Sequence, residues 1–290
     1  LGARVSVGGG KQGYGVSLTS SKKNLDATFD ILSDIVLHPT FPMDEFLRQR
    51  KLAIDGLKRQ KSNPEAIATR VFNSRLFGKT HPLGIPDDGT EASLAALSID
   101  DLKKNYDTYW KPNNAVLVFA GDISLDEAVA LADTWLGKWE QGKIPNVAYL
   151  VVQPPAEHVI YLVDRPNAPQ SQIRIGSLAP MRKTPDYYSL VAMNGMLGGS
   201  FASRVNINLR EDKGYTYGAR TAMSNNRDYG TWTATAGVHT RFTKESLVEF
   251  RKEIEGITGS APVTDEELTG IKHMLTRSFS QNYESNGGVA

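Results

Sequence analysis

Polar and apolar residues alternate along Gly13-Tyr-Gly-Val-Ser-Leu-Thr-Ser20, a period of two that predicts a strand. The apolar residues that follow, Leu25, Phe29, Leu32, Ile35 and Val36, fall at helical spacing instead. His38-Pro-Thr-Phe-Pro42 breaks that pattern, and Asp44 and Glu45 then open a longer helix expected to reach about Lys61. The order returns late in the chain. Gly230-Thr-Trp-Thr-Ala-Thr-Ala-Gly-Val238 sets Trp232, Ala234, Ala236 and Val238 against threonines, 247–257 has a helical period, and Ala261-Pro-Val-Thr-Asp265 precedes another long helix. Leu25 to Glu45 and Leu247 to Glu267 are both steps of 20 residues, which points to an internal duplication.

Between the two units the pattern predicts a helix over 65–77, a Gly/Pro-rich loop over 79–89, a helix over 98–109 capped by Ser98, and a helix over 125–136. The apolar run Ala115-Val-Leu-Val-Phe-Ala120 suits a buried central strand. Periodicity is lost over 142–155, a stretch with three prolines, and the domain boundary is expected there. Val159-Ile-Tyr-Leu-Val163 and Gln172-Ile-Arg-Ile-Gly176 again look like strands. The expected fold is α+β with two domains, 1–145 and 146–290, each a mostly antiparallel sheet packed with helices. Gly8-Gly-Gly-Lys-Gln-Gly13 superficially suggests a phosphate loop, but it lacks G-x4-G-K-[ST] and precedes a strand, so a turn is expected.

Composition narrows the function classes. The chain has 290 residues, 40% hydrophobic and 22% charged, enough for two cores. A net charge of +1 gives no overall attraction for nucleic acid or an anionic membrane. The basic residues Arg48, Arg50, Lys51, Lys58, Arg59 and Lys61 share a helix with an apolar stripe of Phe46, Ile54 and Leu57, so they are expected on its solvated face. The absence of cysteine removes disulfides, thiol catalysis and cysteine-bound metal. No run approaches the roughly 18 apolar residues of a membrane span. The chain opens on Leu1 and stops at Gly287-Gly-Val-Ala290, so both natural ends are expected to lie outside it and a signal peptide would not be visible.

The most specific segment is Leu197-Gly-Gly-Ser-Phe-Ala-Ser-Arg204 followed by Leu209-Arg-Glu-Asp-Lys-Gly-Tyr-Thr-Tyr-Gly218. An apolar helix over 187–197 should end at the paired glycines, a second short helix should carry Arg204 and Arg210, and Gly214 should stop it before an aromatic strand. That geometry could bring a guanidinium and a phenol to one place. A purely structural alternative pairs the arginine with Glu211 or Asp212 and packs the tyrosine on the sheet. Gly198 and Gly199 would let an extended peptide approach and add a strand to a sheet edge, or would simply cap the helix. Tyr215 lies on the same strand face as Tyr217 and is a second candidate.

This segment resembles the second homologous domain of the insulinase/pitrilysin zinc peptidases. The resemblance extends through His81-Pro-Leu-Gly84, Tyr109-Trp-Lys-Pro-Asn-Asn-Ala115, Gly121-Asp122 and Asp164-Arg-Pro-Asn-Ala-Pro-Gln-Ser171, and so covers nearly the whole chain. It implies two homologous peptidase-like domains related by an approximate two-fold axis, with Arg210 and Tyr217 as the pair that faces a zinc held by the other half of the enzyme. Such an enzyme needs H-x-x-E-H on a helix and a distant carboxylate. The histidines here, His38, His81, His158, His239 and His273, have no ligand spacing and are expected in loops or at the surface. The position matching the third ligand, eight residues before Pro64, is Gly56, and Asp55 would serve only if the alignment slips by one residue.

By this resemblance 1–145 is an incomplete first domain lacking zinc ligands, and 146–290 carries the Arg/Tyr pair. The expected protein is the metal-free subunit of a two-chain bacterial peptidase, in periplasm or cytoplasm. Zinc is expected in a homologous partner, no cofactor in this chain, and the substrate is a peptide. The alternative is a non-catalytic scaffold similar to the core subunits of the respiratory cytochrome bc complex.

Overall fold

The small and apolar residues that alternate with threonine in the late strand meet the expectation of a half-buried strand. Ala234, Ala236 and Val238 point into the core while Thr231, Thr233 and Thr235 occupy the opposite face. The protein was analysed as a computed structural model that describes residues 1–146, 151–153 and 157–290, so part of the expected linker at 142–155 lies outside the described residues. In chain order the elements are β1 (Arg4–Gly10), β2 (Gly13–Thr19), α1 (Leu25–Leu37), α2 (Met43–Gln60), α3 (Pro64–Phe77), α4 (Glu91–Ala96), α5 (Ile99–Tyr109) and α6 (Leu125–Leu136). There follow β3 (Gln170–Leu178), α7 (Tyr187–Asn194), α8 (Arg204–Asn206), β4 (Thr216–Asn225), β5 (Gly230–His239), α9 (Thr243–Gly256), α10 (Asp265–Gln281) and α11 (Asn286–Val289). This is a mixed helix-and-sheet fold with small antiparallel sheets. Among the described residues no helix is long and apolar enough to cross a membrane.

Two compact units are present. One comprises Leu1–Lys58, Pro86–Ala148 and Asn282–Ala290, the other Arg59–Ile85 and Tyr149–Gln281. They differ from a cut at residue 145 because α3 joins the second unit: Glu65 pairs with Arg174 of β3 at 2.9 Å, and the Phe72 ring occupies the space a side chain at Gly176 would need.

In the first unit β1 and β2 form an antiparallel hairpin around Lys11 and Gln12. The expected turn over 8–13 is therefore confined to two residues, and Gly8–Gly10 belong to the strand, where the Tyr14 ring covers Gly9. Phe29, Leu32 and Val36 of α1 form the core with Val16, Leu18, Trp110, Phe119 and Trp135 around them. The Tyr106 hydroxyl donates to the Val36 carbonyl at 2.7 Å and ties α5 to the end of α1.

Two expected strands do not form. Of 115–120 only Phe119 packs, stacked on Phe29, and Val116 is 89% exposed. Over 159–163 the backbone joins no ladder, and Ile160 and Leu162 are 85% and 89% exposed. An apolar run becomes a strand only beside another strand's N–H and C=O groups, and no described strand lies alongside either one.

The second unit has the sheet order β3-β5-β4, antiparallel throughout, with β5 central. Its core joins Ile173, Ala219, Ala234, Ala236 and Val238 to Leu197, Val205, Leu209 and, from α9, Phe250. The hairpin β4–β5, the 3₁₀ turn Thr240–Phe242, α9 and α10 repeat the order of β1–β2, the 3₁₀ turn Lys22–Asn24, α1 and α2. Arg204 makes a bidentate pair with Glu267 of α10 and also donates to the carbonyls of Ala261 and Pro262.

Those contacts generate a stability prediction. Arg204→Ala should lower the stability of the second unit by about 2–3 kcal/mol, because charge-assisted hydrogen bonds contribute about 1.5–3 kcal/mol each and the truncation leaves Glu267 half-satisfied. The Arg204 guanidinium holds the Glu267 carboxyl down at about 2, against an ordinary 4.5. A carboxyl depressed in the folded state stabilises above its unfolded value and loses that contribution as pH falls from about 4.5 towards 2. Urea melts across that range should show the acid loss in the wild type and a flatter profile in Glu267→Gln.

Candidate functional site

The site is built by a chain reversal. After α7 the backbone widens into a π-helical turn, Gly195–Gly199, and after α8 into a second one, Ile207–Asp212. Gly214 then adopts φ +63, a left-handed conformation that suits glycine, and the reversal lets Tyr215 N–H return to the Leu209 carbonyl at 2.9 Å. Leu209 is buried, so Arg210, the next residue, emerges at the edge of the core. The helix end expected at Gly214 is present.

β4 departs from regular pairing at the point where it passes this turn. Thr216 lies opposite Val238 and Ala219 opposite Ala236, so one extra residue is accommodated between them. The Thr216 hydroxyl accepts Gly218 N–H at 3.1 Å and lies within hydrogen-bond reach of the Gly218 and Gly237 carbonyls. Such a bulge re-aims a side chain. Tyr217 stands on it, 87% exposed.

The reversal brings together the two residues the sequence singled out. The Arg210 guanidinium carbon lies 5.0 Å from the centre of the Tyr217 ring and 4.7 Å from that of Phe201, so the cation faces two exposed aromatic rings. Its Nε is 3.2 Å from Glu211 Oε1. Its terminal amino groups and the Tyr217 hydroxyl make no hydrogen bond with the described residues and remain available as donors. Of the structural alternative, the Glu211 pairing is present and the packing of Tyr217 on the sheet is not.

The remaining candidates are placed differently. Gly198 is buried, and a side-chain carbon there would meet Thr221 N at 2.5 Å, so it serves the close approach of the π turn to β4. Gly199 is the exposed member of the pair. Tyr215 is stacked on Phe242 with ring centres 4.4 Å apart, which commits its face to the protein. Residues not singled out, Phe201, Asn206 and Thr216, shape the site. Their signal was a polar asparagine beside the apolar Val205 and an aromatic residue inside a small-residue turn.

His81 is a loop histidine, as expected, and caps the 3₁₀ turn Pro82–Gly84, but it is not at the surface. It is buried, its Nδ1 accepts Leu83 N–H at 3.1 Å, and its ring stacks on Phe77. The other four histidines are exposed. Zinc is the metal the family resemblance implies, and the donors of this chain do not fit it. Among the described residues no three His, Cys, Asp or Glu side chains converge. Position 56 in α2 is glycine, and Asp55 lies 4.0 Å from Lys58.

Known proteins share the sequence and the fold of this chain. A protein from Bacillus subtilis named "Uncharacterized zinc protease YmxG" is 27% identical over 257 residues, 88% of this chain and 61% of that protein. The "Non-peptidase homolog YmxG" of Helicobacter pylori is 24% identical over 204 residues, 70% of this chain and 46% of that protein. The chain thus spans about half to three fifths of these relatives' length. The crystal structure of a peptidase M16 inactive domain from Pseudomonas fluorescens superposes with a TM-score of 0.87 over 99% of this chain and 68% of that one; at 23% identity the likeness is one of fold. The family described as "Peptidase M16 inactive domain" matches residues 96–275, which include the whole Arg210–Tyr217 reversal. By that match, and by the fold that carries it, the chain belongs to the M16 peptidase family, through the domain described as inactive.

Proposed function

We propose that this chain is the metal-free half of a two-chain peptidase, contributing substrate contact and transition-state donors to peptide hydrolysis by a homologous zinc-bearing subunit. The observation that carries the reading is the juxtaposition of Arg210 and Tyr217 with their outward donors unpaired. As a peptide carbonyl is attacked, negative charge grows on its oxygen, and a guanidinium and a phenol held in place beforehand can donate to it without reorganising. Neither residue activates a water for attack, so hydrolysis requires the partner. Gly199, exposed beside this site, is where an extended peptide backbone would pass.

A scaffold role without chemistry is the second reading. It is favoured by the relative named a non-peptidase homologue and by the pairing of Arg210 with Glu211, which partly neutralises the cation.

One measurement tests what both readings share, and a second separates them. The purified chain is expected to hold no stoichiometric zinc and to cleave no peptide alone; a full equivalent retained after dialysis against a weak chelator would overturn the assignment. With a zinc-bearing homologue added, Arg210→Ala and Tyr217→Phe should each lower kcat for a fluorogenic peptide by about 10²–10³, with KM little changed, as for loss of one donor to a developing oxyanion. Full turnover in both variants would leave the scaffold reading. Arg204 is unsuitable as a control because of its bonds to Glu267; Arg220, exposed on β4, is suitable.

A further inference from the structure

The two rings that flank Arg210 are carried by separate pieces of backbone, the turn before α8 and the bulge of β4. Surface contacts between a cation and exposed rings are weak, too weak to hold those pieces in register. One buried side chain joins them. Asn206, 5% exposed, donates from Nδ2 to the Phe201 carbonyl at 2.7 Å and accepts Ala219 N–H on Oδ1 at 3.2 Å. The two partners fix the amide's orientation, since a carbonyl needs the NH₂ end and an N–H needs the oxygen. Ala219 is the residue at which β4 resumes regular pairing after the bulge that carries Tyr217.

We propose that Asn206 is the positioning residue of the site: its amide spans the turn and the bulge, and so sets the spacing of the Phe201 and Tyr217 rings on either side of Arg210. Asn206 touches neither a substrate nor the guanidinium; it acts through the backbone that holds each ring. Phe201 is thereby a second wall against the Arg210 guanidinium, on the other side of it in sequence from the Tyr217 ring. The inference rests on the reading that Arg210 and Tyr217 act as one unit, but it concerns geometry and can be tested without a partner.

Asn206→Asp separates the two bonds. At neutral pH the introduced carboxylate still accepts Ala219 N–H but repels the Phe201 carbonyl, and once protonated it regains an O–H donor of nearly the same shape. The readout is the Arg210 Nε–Hε resonance in ¹H–¹⁵N spectra of the isolated chain, which two flanking rings should shift upfield. The wild type is expected to show the shift at every pH at which it is folded. Asn206→Asp should lose most of it at pH 7 and recover it as the pH falls and the buried carboxyl regains its proton. Phe201→Leu should lose part of the shift at all pH values while the Asn206 amide protons stay slow to exchange.

A folded Asn206→Asp chain with the wild-type shift at pH 7 would overturn the proposal. So would wild-type Asn206 amide protons that exchange as fast as those of an exposed asparagine, and this measurement decides the matter if the variant does not fold. Turnover in the reconstituted pair tests the functional reading separately and does not bear on this outcome.

Discussion

The second unit depends on β5 being paired on both sides by strands it can pack closely behind. Its inward residues are two alanines and a valine, and these small side chains let Leu209 and Phe250 approach the sheet without a gap. Leu209 is the anchor of the reversal: its side chain is in the core, its carbonyl receives Tyr215 N–H, and Arg210 follows it by one residue. A larger residue on β5 would move that anchor and with it both ends of the candidate site.

Much of this could be read from the chain. The two-residue period at 230–238 and the helical periods of α1, α6 and α9 each report a single buried face, and burying a face is what those segments do. The glycine break at Gly214 and the seven-residue spacing of Arg210 and Tyr217 were legible because a tight reversal needs a left-handed residue. What could not be read was pairing. Hydrophobicity at 115–120 and 159–163 signals a preference for burial, but the ladder depends on a neighbour elsewhere in the chain, and periodicity does not contain that neighbour. The same limit hid Asn206, whose value lies in two backbone groups 5 and 13 residues away. The loop position of His81 was legible, but its burial against the Phe77 ring was not, because that contact depends on how the turn after α3 packs.

On the proposed reading, this chain supplies donors without an attacking group. Polar groups of Asn206 and Thr216 shape the backbone, whereas the terminal amino groups of Arg210, beside its Nε pairing with Glu211, and the Tyr217 hydroxyl make no hydrogen bond with the described residues.

The two π-helical turns have a further consequence. A π turn accommodates one residue more than an α turn, and in an α-helix each residue advances the side-chain direction by about 100°. Arg210 lies inside one of these wide turns, so its direction is set by the number of residues between the buried Val205 and Gly214 as much as by their identity. Removing one residue there would let the turn relax to an ordinary helix and swing the guanidinium out of line with Tyr217, although every named side chain remained. The site is therefore exposed to changes of length, to which a comparison counting only substitutions would be blind.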